Sequence, residues 1–357
     1  MGISSLAADK CRFSRIIFLT GLFLVLMPGI VLTGCSGQSS DLDVYLQRLS
    51  DNLDTPLPPP QAPSALVMPR PPKPPTIASA ASIGMLDLWA IRQCRLHQVI
   101  ADHNSALGKV AVSSERLMYM LDFLRWAPSC AELLSEDDKP ELAATLMQAH
   151  EDYRQRLPEQ IWQSTLGGPE FRQFWRRSGV SIDESVAQQS TDSMAALTAL
   201  DQLVESWLAE NYDSQHERFN RALSTIGRGD GGALLLALES IQTQLQRADE
   251  LLEKRLQRRP LCLSANPTPK AKRLMGIVSR YFAQGVQQRA AAYNQRVYKL
   301  LPVIQTLEQS LSGAEPEPWR DWRQRRDQRF EQSRNAPARH VKALLPLLKQ
   351  CGLQPGA

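Results

Sequence analysis

From residue 83 to the C-terminus, apolar residues return at three- and four-residue intervals, the period of a helix face and not of a strand. The pattern is sharpest in the second half. Leu234, Leu238, Ile241, Leu245, Ala248 and Leu252 follow one another at spacings of 4-3-4-3-4, a heptad seam. After a proline-bounded turn at 260–269, Leu274, Val278, Tyr281 and Gly285 resume the spacing, and Tyr293, Val297, Leu300, Ile304, Leu307 and Leu311 continue it. Two long facing helices, an antiparallel pair, are expected there, with Pro302 kinking the second. Two more helices, Glu317–Arg334 and Ala336–Gln350, close the chain.

The first half reads the same way in shorter pieces. Asp41–Leu53 is a short amphipathic helix with Leu42, Tyr45, Leu46, Leu49 and Leu53 on one side. Ile83–Ala101 begins apolar almost all round, as a central helix would. A turn at His103–Gly108 leads to a helix over Ser114–Ala127 that should stop before Pro128. Asp138-Lys139-Pro140-Glu141 resembles a capping box and opens a helix to about Leu157. Further helices are expected near Pro169–Arg177, Asp192–Ala209 and Asp213–Ile226, followed by a flexible break at Gly227–Gly232. No run alternates as a strand would, and no internal repeat stands out. The fold class is therefore all-α: a multi-helix bundle with a long antiparallel pair in its C-terminal half.

The N-terminus carries a different pattern. Lys10, Arg12 and Arg15 precede an apolar stretch from Ile16 to Met27, and Leu32-Thr33-Gly34-Cys35 follows. A basic start, an apolar core of about a dozen residues and small residues before the cut form a signal peptide; a spanning helix would need roughly 20 apolar residues. The last four residues resemble the lipobox of bacterial lipoproteins, in which the cysteine thiol takes up the diacylglycerol. Two or three acyl chains would make a stable anchor where one is marginal. Ser36, rather than Asp, follows the cysteine, which points to the outer membrane. Ten prolines between Pro56 and Pro75 then exclude helix and central strand. Extended, that stretch would reach roughly 60 Å as a stalk; alternatively it straps the body, since Leu66, Val67 and Met68 favour burial. The expected organisation is a signal at 1–34, an acylated N-terminus with helix and Pro-rich tether at 35–82, a helical region at 83–226, and a C-terminal helical bundle at 231–357.

Cleavage would leave 38 basic and 36 acidic residues, too balanced for a nucleic-acid partner. Of the six cysteines, Cys11 would leave with the signal and Cys35 would be acylated. Cys94, Cys130, Cys262 and Cys351 then face an oxidising compartment, where an even set reads as disulfides. Chain order favours Cys94–Cys130 and Cys262–Cys351. The helix from about Lys270 climbs roughly 60 Å and the two after it retrace about 50 Å, which returns Cys351 towards Cys262. The first bridge needs the chain to turn back after Pro128.

Some of these residues look familiar together. Arg70-Pro71-Pro72, Ile83-Gly84-Met85-Leu86-Asp87-Leu88, Arg92-Gln93-Cys94, His103-Asn104-Ser105-Ala106-Leu107-Gly108-Lys109 and Leu117–Leu124 resemble the uncharacterised lipoprotein family of gammaproteobacteria catalogued as domain of unknown function 3080. That family more often has Arg where this chain has His103 and Ser where it has Ala106. The resemblance implies an envelope location and brings no activity with it.

Candidate chemistry is sparse. No histidine has zinc-ligand spacing, so no metal or cofactor is expected. His103 beside Ser105 reads as a capping turn before it reads as a nucleophile and base. Glu184-Ser185, Glu205-Ser206 and Glu239-Ser240 lack the continuation of a wall-lytic transglycosylase. Two arginine–aromatic clusters remain, Phe171–Arg177 and Trp319–Phe330. In the second, Trp319 and Trp322 share a face while Arg320, Arg323, Arg325 and Arg326 spread around it. Arginines of this kind suit anionic lipid heads or an envelope protein; the blander reading, favoured because surface arginines need no ligand, is that their stems cover an aromatic core face. The leading expectation is a non-enzymatic interaction or scaffold lipoprotein, held to the membrane by acyl chains on Cys35 and facing the periplasm. The alternatives are a binding lipoprotein for an apolar or anionic envelope ligand, and a hydrolase with a site the motifs do not reveal.

Overall fold

In the computed structural model the described residues are 41–61, 66–72, 85–105, 108, 111–176 and 186–353; they are predominantly helical, and no strand occurs among them. The signal segment and Cys35 lie outside the described residues. Residues 39–357 form one compact unit. The all-α reading is correct.

The first helix is part of the body. α1 (Asp41–Leu53) buries the five residues its spacing marks, Leu42, Tyr45, Leu46, Leu49 and Leu53. Its partners run in the opposite chain direction: Arg289 holds Asp41 at 2.6 Å, the Tyr45 ring lies 5.7 Å from that of Phe282, and Asn52 donates to the Lys270 carbonyl at 3.3 Å. The Pro-rich stretch continues as a strap where it is described. Pro58 is buried and its carbonyl accepts from Arg247 at 2.8 Å. Leu57 packs on one part of the core, and Leu66 and Met68 pack on another.

Behind α1, α10 (Pro269–Ile277) runs into a π-helical stretch (Val278–Val286) and on into α11 (Gln287–Ser310). The wider turn, closed by i→i+5 bonds, changes which residues share a face. Val278, Phe282, Val286 and Ala290 are buried at a constant spacing of four. Tyr281 and Gly285, expected on the seam, are displaced from it. The shifted register sets Phe282 against both Tyr45 and His340. The seam of α9 (Gly231–Leu256) is buried as its heptads require. Its main neighbours, however, are α13 (Ala336–Lys349) and α12 (Glu317–Arg334), with α1 along another side; α11 packs more against α7 (Val186–Leu208).

The N-terminal third departs from expectation at its prolines and its first helix. Instead of one helix over 83–101 there are α2 (Met85–Ala90) and α3 (Leu96–Asn104), joined by successive turns in which Cys94 donates to Ile91 O and His97 to Cys94 O. Ile91 and Leu96, five apart, could not share one helical face; the break buries both. α4 (Ser113–Glu136) does not stop at Pro128, and α5 (Pro140–Ser164) runs through Pro158. The expected capping box does not form: Lys139 is the N-cap, with no side-chain bond, and Asp138 adopts φ 56°. α4 and α5 pack along their lengths. α6 (Pro169–Phe174) and α8 (His216–Gly227) then lead to α9.

Both disulfides join the expected partners, Cys94–Cys130 with S–S 2.16 Å and Cys262–Cys351 with S–S 2.04 Å. The chain does not turn back after Pro128 to close the first. α4 climbs about 25 Å from its start to Cys130 while α3 covers about 13 Å, and the successive turns before α3 set Cys94 beyond its start. The apolar core falls into two clusters that cut across the expected boundary near 227–230. One joins residues between Ile91 and Leu238 to residues between Val297 and Phe330, and the other joins α1 to the 241–290 and 336–351 segments.

The bridges close segments of 36 and 89 residues in sequence separation, so reduction should cost about 4 kcal/mol for each in the chain-entropy account. Non-reducing peptide mapping should recover Cys94 linked to Cys130 and Cys262 to Cys351. A Cys94–Cys262 or Cys94–Cys351 peptide, or four free thiols, would contradict this fold.

Candidate functional site

The two arginine–aromatic clusters, about 150 residues apart in sequence, are two halves of one interior. Trp175, just after α6, meets Trp322 at 5.6 Å and Phe330 at 6.2 Å between ring centroids, and Trp162 of α5 meets Trp319 edge-on at 5.8 Å. The supposed flexible break makes this possible. A Cβ at Gly229 or Gly231 would overlap the Phe174 ring, so these glycines permit close packing rather than motion.

Arg326 stands inside this aromatic cage with no exposed surface. Its guanidinium binds both oxygens of Glu308, at 2.6 and 3.0 Å, and donates to Asp327 at 2.8 Å, while lying over Trp175 at 4.9 Å and Trp322 at 5.4 Å. Burial pushes the Glu308 carboxyl above its ordinary range while Arg326 pulls it back; burial also opposes the Arg326 charge, and Glu308 and Asp327 more than offset it. Of the two readings of this helix, the one in which arginine stems cover an aromatic core face is the one these contacts support. Trp319, Trp322 and Arg326 are core residues. Arg320 and Arg323 bind Glu315, whose side chain is 2% exposed, at 3.1 and 2.8 Å. Arg325 is exposed. The stems and guanidinium groups serve the protein's own carboxylates.

A second polar set lies in the other cluster. His340 sits between Tyr45 and Asp249: the Tyr45 hydroxyl is 2.6 Å from Nε2, and Nδ1 is 2.5 Å from the Asp249 carboxylate. With Nδ1–H donated to Asp249, Nε2 is left to accept from the tyrosine. Burial, then the nearby Asp249 charge, drives the Tyr45 hydroxyl far above its usual pKa, so it stays protonated. Asp–imidazole–hydroxyl is the order of a hydrolase relay, but Tyr45 and His340 are both fully buried. No substrate reaches that hydroxyl, and the set acts as a clasp between α1, α9 and α13. A groove of about 570 Å³ between α9 and α13 opens onto Asp249 alone of the three. Sequence reading found Tyr45 as a core position and offered no reason to join it to residues 204 and 295 positions away.

A third feature opens at the surface beside Pro128. Proline has no N–H, so the Leu124 carbonyl loses its helical donor. The imidazole of His150, on α5, lies near that carbonyl, which raises its pKa while burial lowers it more. A cleft of about 430 Å³ adjoins it, lined among others by Arg125, Pro128, Glu210, Asn211, Tyr212 and Asp213. The edge of the His150 ring meets Tyr212 at 6.3 Å. Sequence reading did not single out His150.

Of the capping pair expected at 103–108, Ser105 makes its contacts. Ser105 Oγ donates to Asp102 O at 2.6 Å and accepts from Gly108 N–H at 3.1 Å, and His103 stacks on Tyr119 at 3.8 Å. Among the described residues, no helix is long and apolar enough to cross a membrane.

The family described as protein of unknown function, domain of unknown function 3080, matches residues 42–355, which takes in α1 and nearly all of the body. No curated protein and no solved structure matches the chain.

Removing Arg326 would strand a buried Glu308, so Arg326→Ala should destabilise by about 3–5 kcal/mol, whereas exposed Arg325→Ala should stay within about 0.5 kcal/mol. Denaturant unfolding of the two variants distinguishes them; equal effects would contradict a core role for the helix. Tyr45→Phe, which deprives His340 of its hydroxyl partner at little change in shape, should cost about 1–3 kcal/mol in the same measurement.

Proposed function

The chain belongs to the family of domain of unknown function 3080, and we propose that it is a lipid-anchored envelope protein whose helical body works as a non-enzymatic interaction or scaffold element at the periplasmic face of the outer membrane. The observation that carries this reading is α1. Cys35 precedes Asp41 by six residues, a covalent reach of at most about 20 Å, and α1 is clasped into the body through Arg289, Phe282 and His340. An acyl anchor on Cys35 would therefore hold the body against the bilayer, with the prolines strapping it rather than spacing it off. The only hydrolase-like relay described is sealed in the core, which favours interaction over catalysis. The alternative of a ligand-binding lipoprotein draws its support from the cleft beside His150.

Cys35→Ala should block processing and leave a larger precursor that takes up no palmitate label. A mutant that is still cut and still labelled would remove the anchor. Affinity capture of the acylated protein from cross-linked envelopes, with mass spectrometry of proteins and lipids, then identifies what the body touches.

A further inference from the structure

We propose that the cleft between Pro128, His150 and the 210–213 segment is a binding site for a neutral saccharide. This goes beyond the anchoring reading and stands whether or not Cys35 is acylated.

The charges of the cleft decide what it does not take. Arg125 is paired with Asp213 at 2.6 Å, and Arg154 behind it is paired with Glu151 at 2.8 Å and Glu210 at 3.4 Å. Each cation is already matched by a carboxylate, which leaves no net positive charge at the rim to attract a phosphate or carboxylate. The carboxylates are matched too, so an amine gains no more. What remains is a rim that offers donors from the guanidinium and the Asn211 amide and acceptors from the carboxylates and the same amide. Leu124, the Pro128 ring and the Tyr212 ring line the cleft with it, Tyr212 lying edge-on to His150.

That arrangement complements a pyranose. Its hydroxyls each donate and accept, which suits a rim that offers both, and its C–H faces are apolar, which suits a proline and a tyrosine ring. The volume, about 430 Å³, falls at the lower end of ligand clefts, roughly 300–1,000 Å³, enough for one or two sugar rings.

The walls are held in place before any ligand arrives. Glu210 adopts φ 64°, the left-handed position that closes α7, with Asn211 N–H donating to Ser206 O at 3.0 Å. Glycine would adopt that conformation at less cost, but the glutamate brings its carboxylate to Arg154. The Trp207 indole donates to Asp213 O at 2.9 Å, fixing the segment from below. Preorganised polar groups lose little on binding.

The full chain, in detergent, is titrated calorimetrically with N-acetylchitotriose and with maltotriose. Saturable binding of one or both at a Kd of about 1 mM or tighter is expected. Asn211→Ala, at an exposed position, should weaken it roughly tenfold with unchanged melting; Tyr212→Ala, whose ring also packs on the core, should weaken it similarly at some cost in melting temperature, while Arg325→Ala leaves it alone. No saturation by either sugar up to about 20 mM overturns the proposal. So does sugar binding that survives both cleft substitutions, or a Tyr212-dependent site that takes inorganic phosphate or spermine instead.

Discussion

The bidentate contact between Arg326 and Glu308, sealed by Trp175 and Trp322, is the constraint around which the larger core is arranged. A guanidinium is planar, permanently charged and weakly hydrated, so it can be buried where a lysine could not, provided each edge finds an acceptor. Here Glu308 arrives from α11 and Asp327 from the same turn of α12, and the flat faces are covered by indoles from α6 and α12. Those requirements fix three segments relative to one another at once. The pair is not an efficient source of stability, since apolar groups of the same shape often do as well or better. Its effect is directional: α12 has only one rotation that satisfies all its acceptors.

From that centre the remaining packing follows. Trp175 can reach Trp322 only because the turn between α8 and α9 passes close over Phe174, which its glycines allow. Asp230 in the same turn is held by Arg296 of α11 at 2.7 Å, tying the start of α9 to the helix that supplies Glu308. α9 then continues from the first core cluster into the second, where Tyr45, His340 and Asp249 join α1 to α9 and α13. Each cluster is thus closed by a buried polar contact between distant parts of the chain.

This explains which features were legible in the sequence. Faces set by local spacing were readable: every seam residue from Leu234 to Leu252 is buried, and the bounds of α12 are as expected. The disulfide partners followed from chain order. The register of 278–286 was not readable, because the segment it packs against, α1, lies over two hundred residues away. The arginine cluster was found but its ligand was not; nothing local marks Glu308 as the partner of Arg326. The Tyr45–His340–Asp249 clasp and the His150 cleft went unseen for the same reason, since each joins segments far apart in sequence.

Pro128 shows how a local rule fails and what its failure leaves behind. A proline within a helix removes one donor and strands a carbonyl four residues back, so ending α4 at Ala127 is the sound local expectation. The helix continues through it with α5 packed alongside. The stranded carbonyl then faces a neighbouring helix and not solvent alone: it lies near His150 and raises that imidazole's pKa against the lowering by burial. The proline ring itself lines the cleft together with Leu124, His150 and the 210–213 segment, so the residue that breaks the local rule also shapes one wall of the opening beside it.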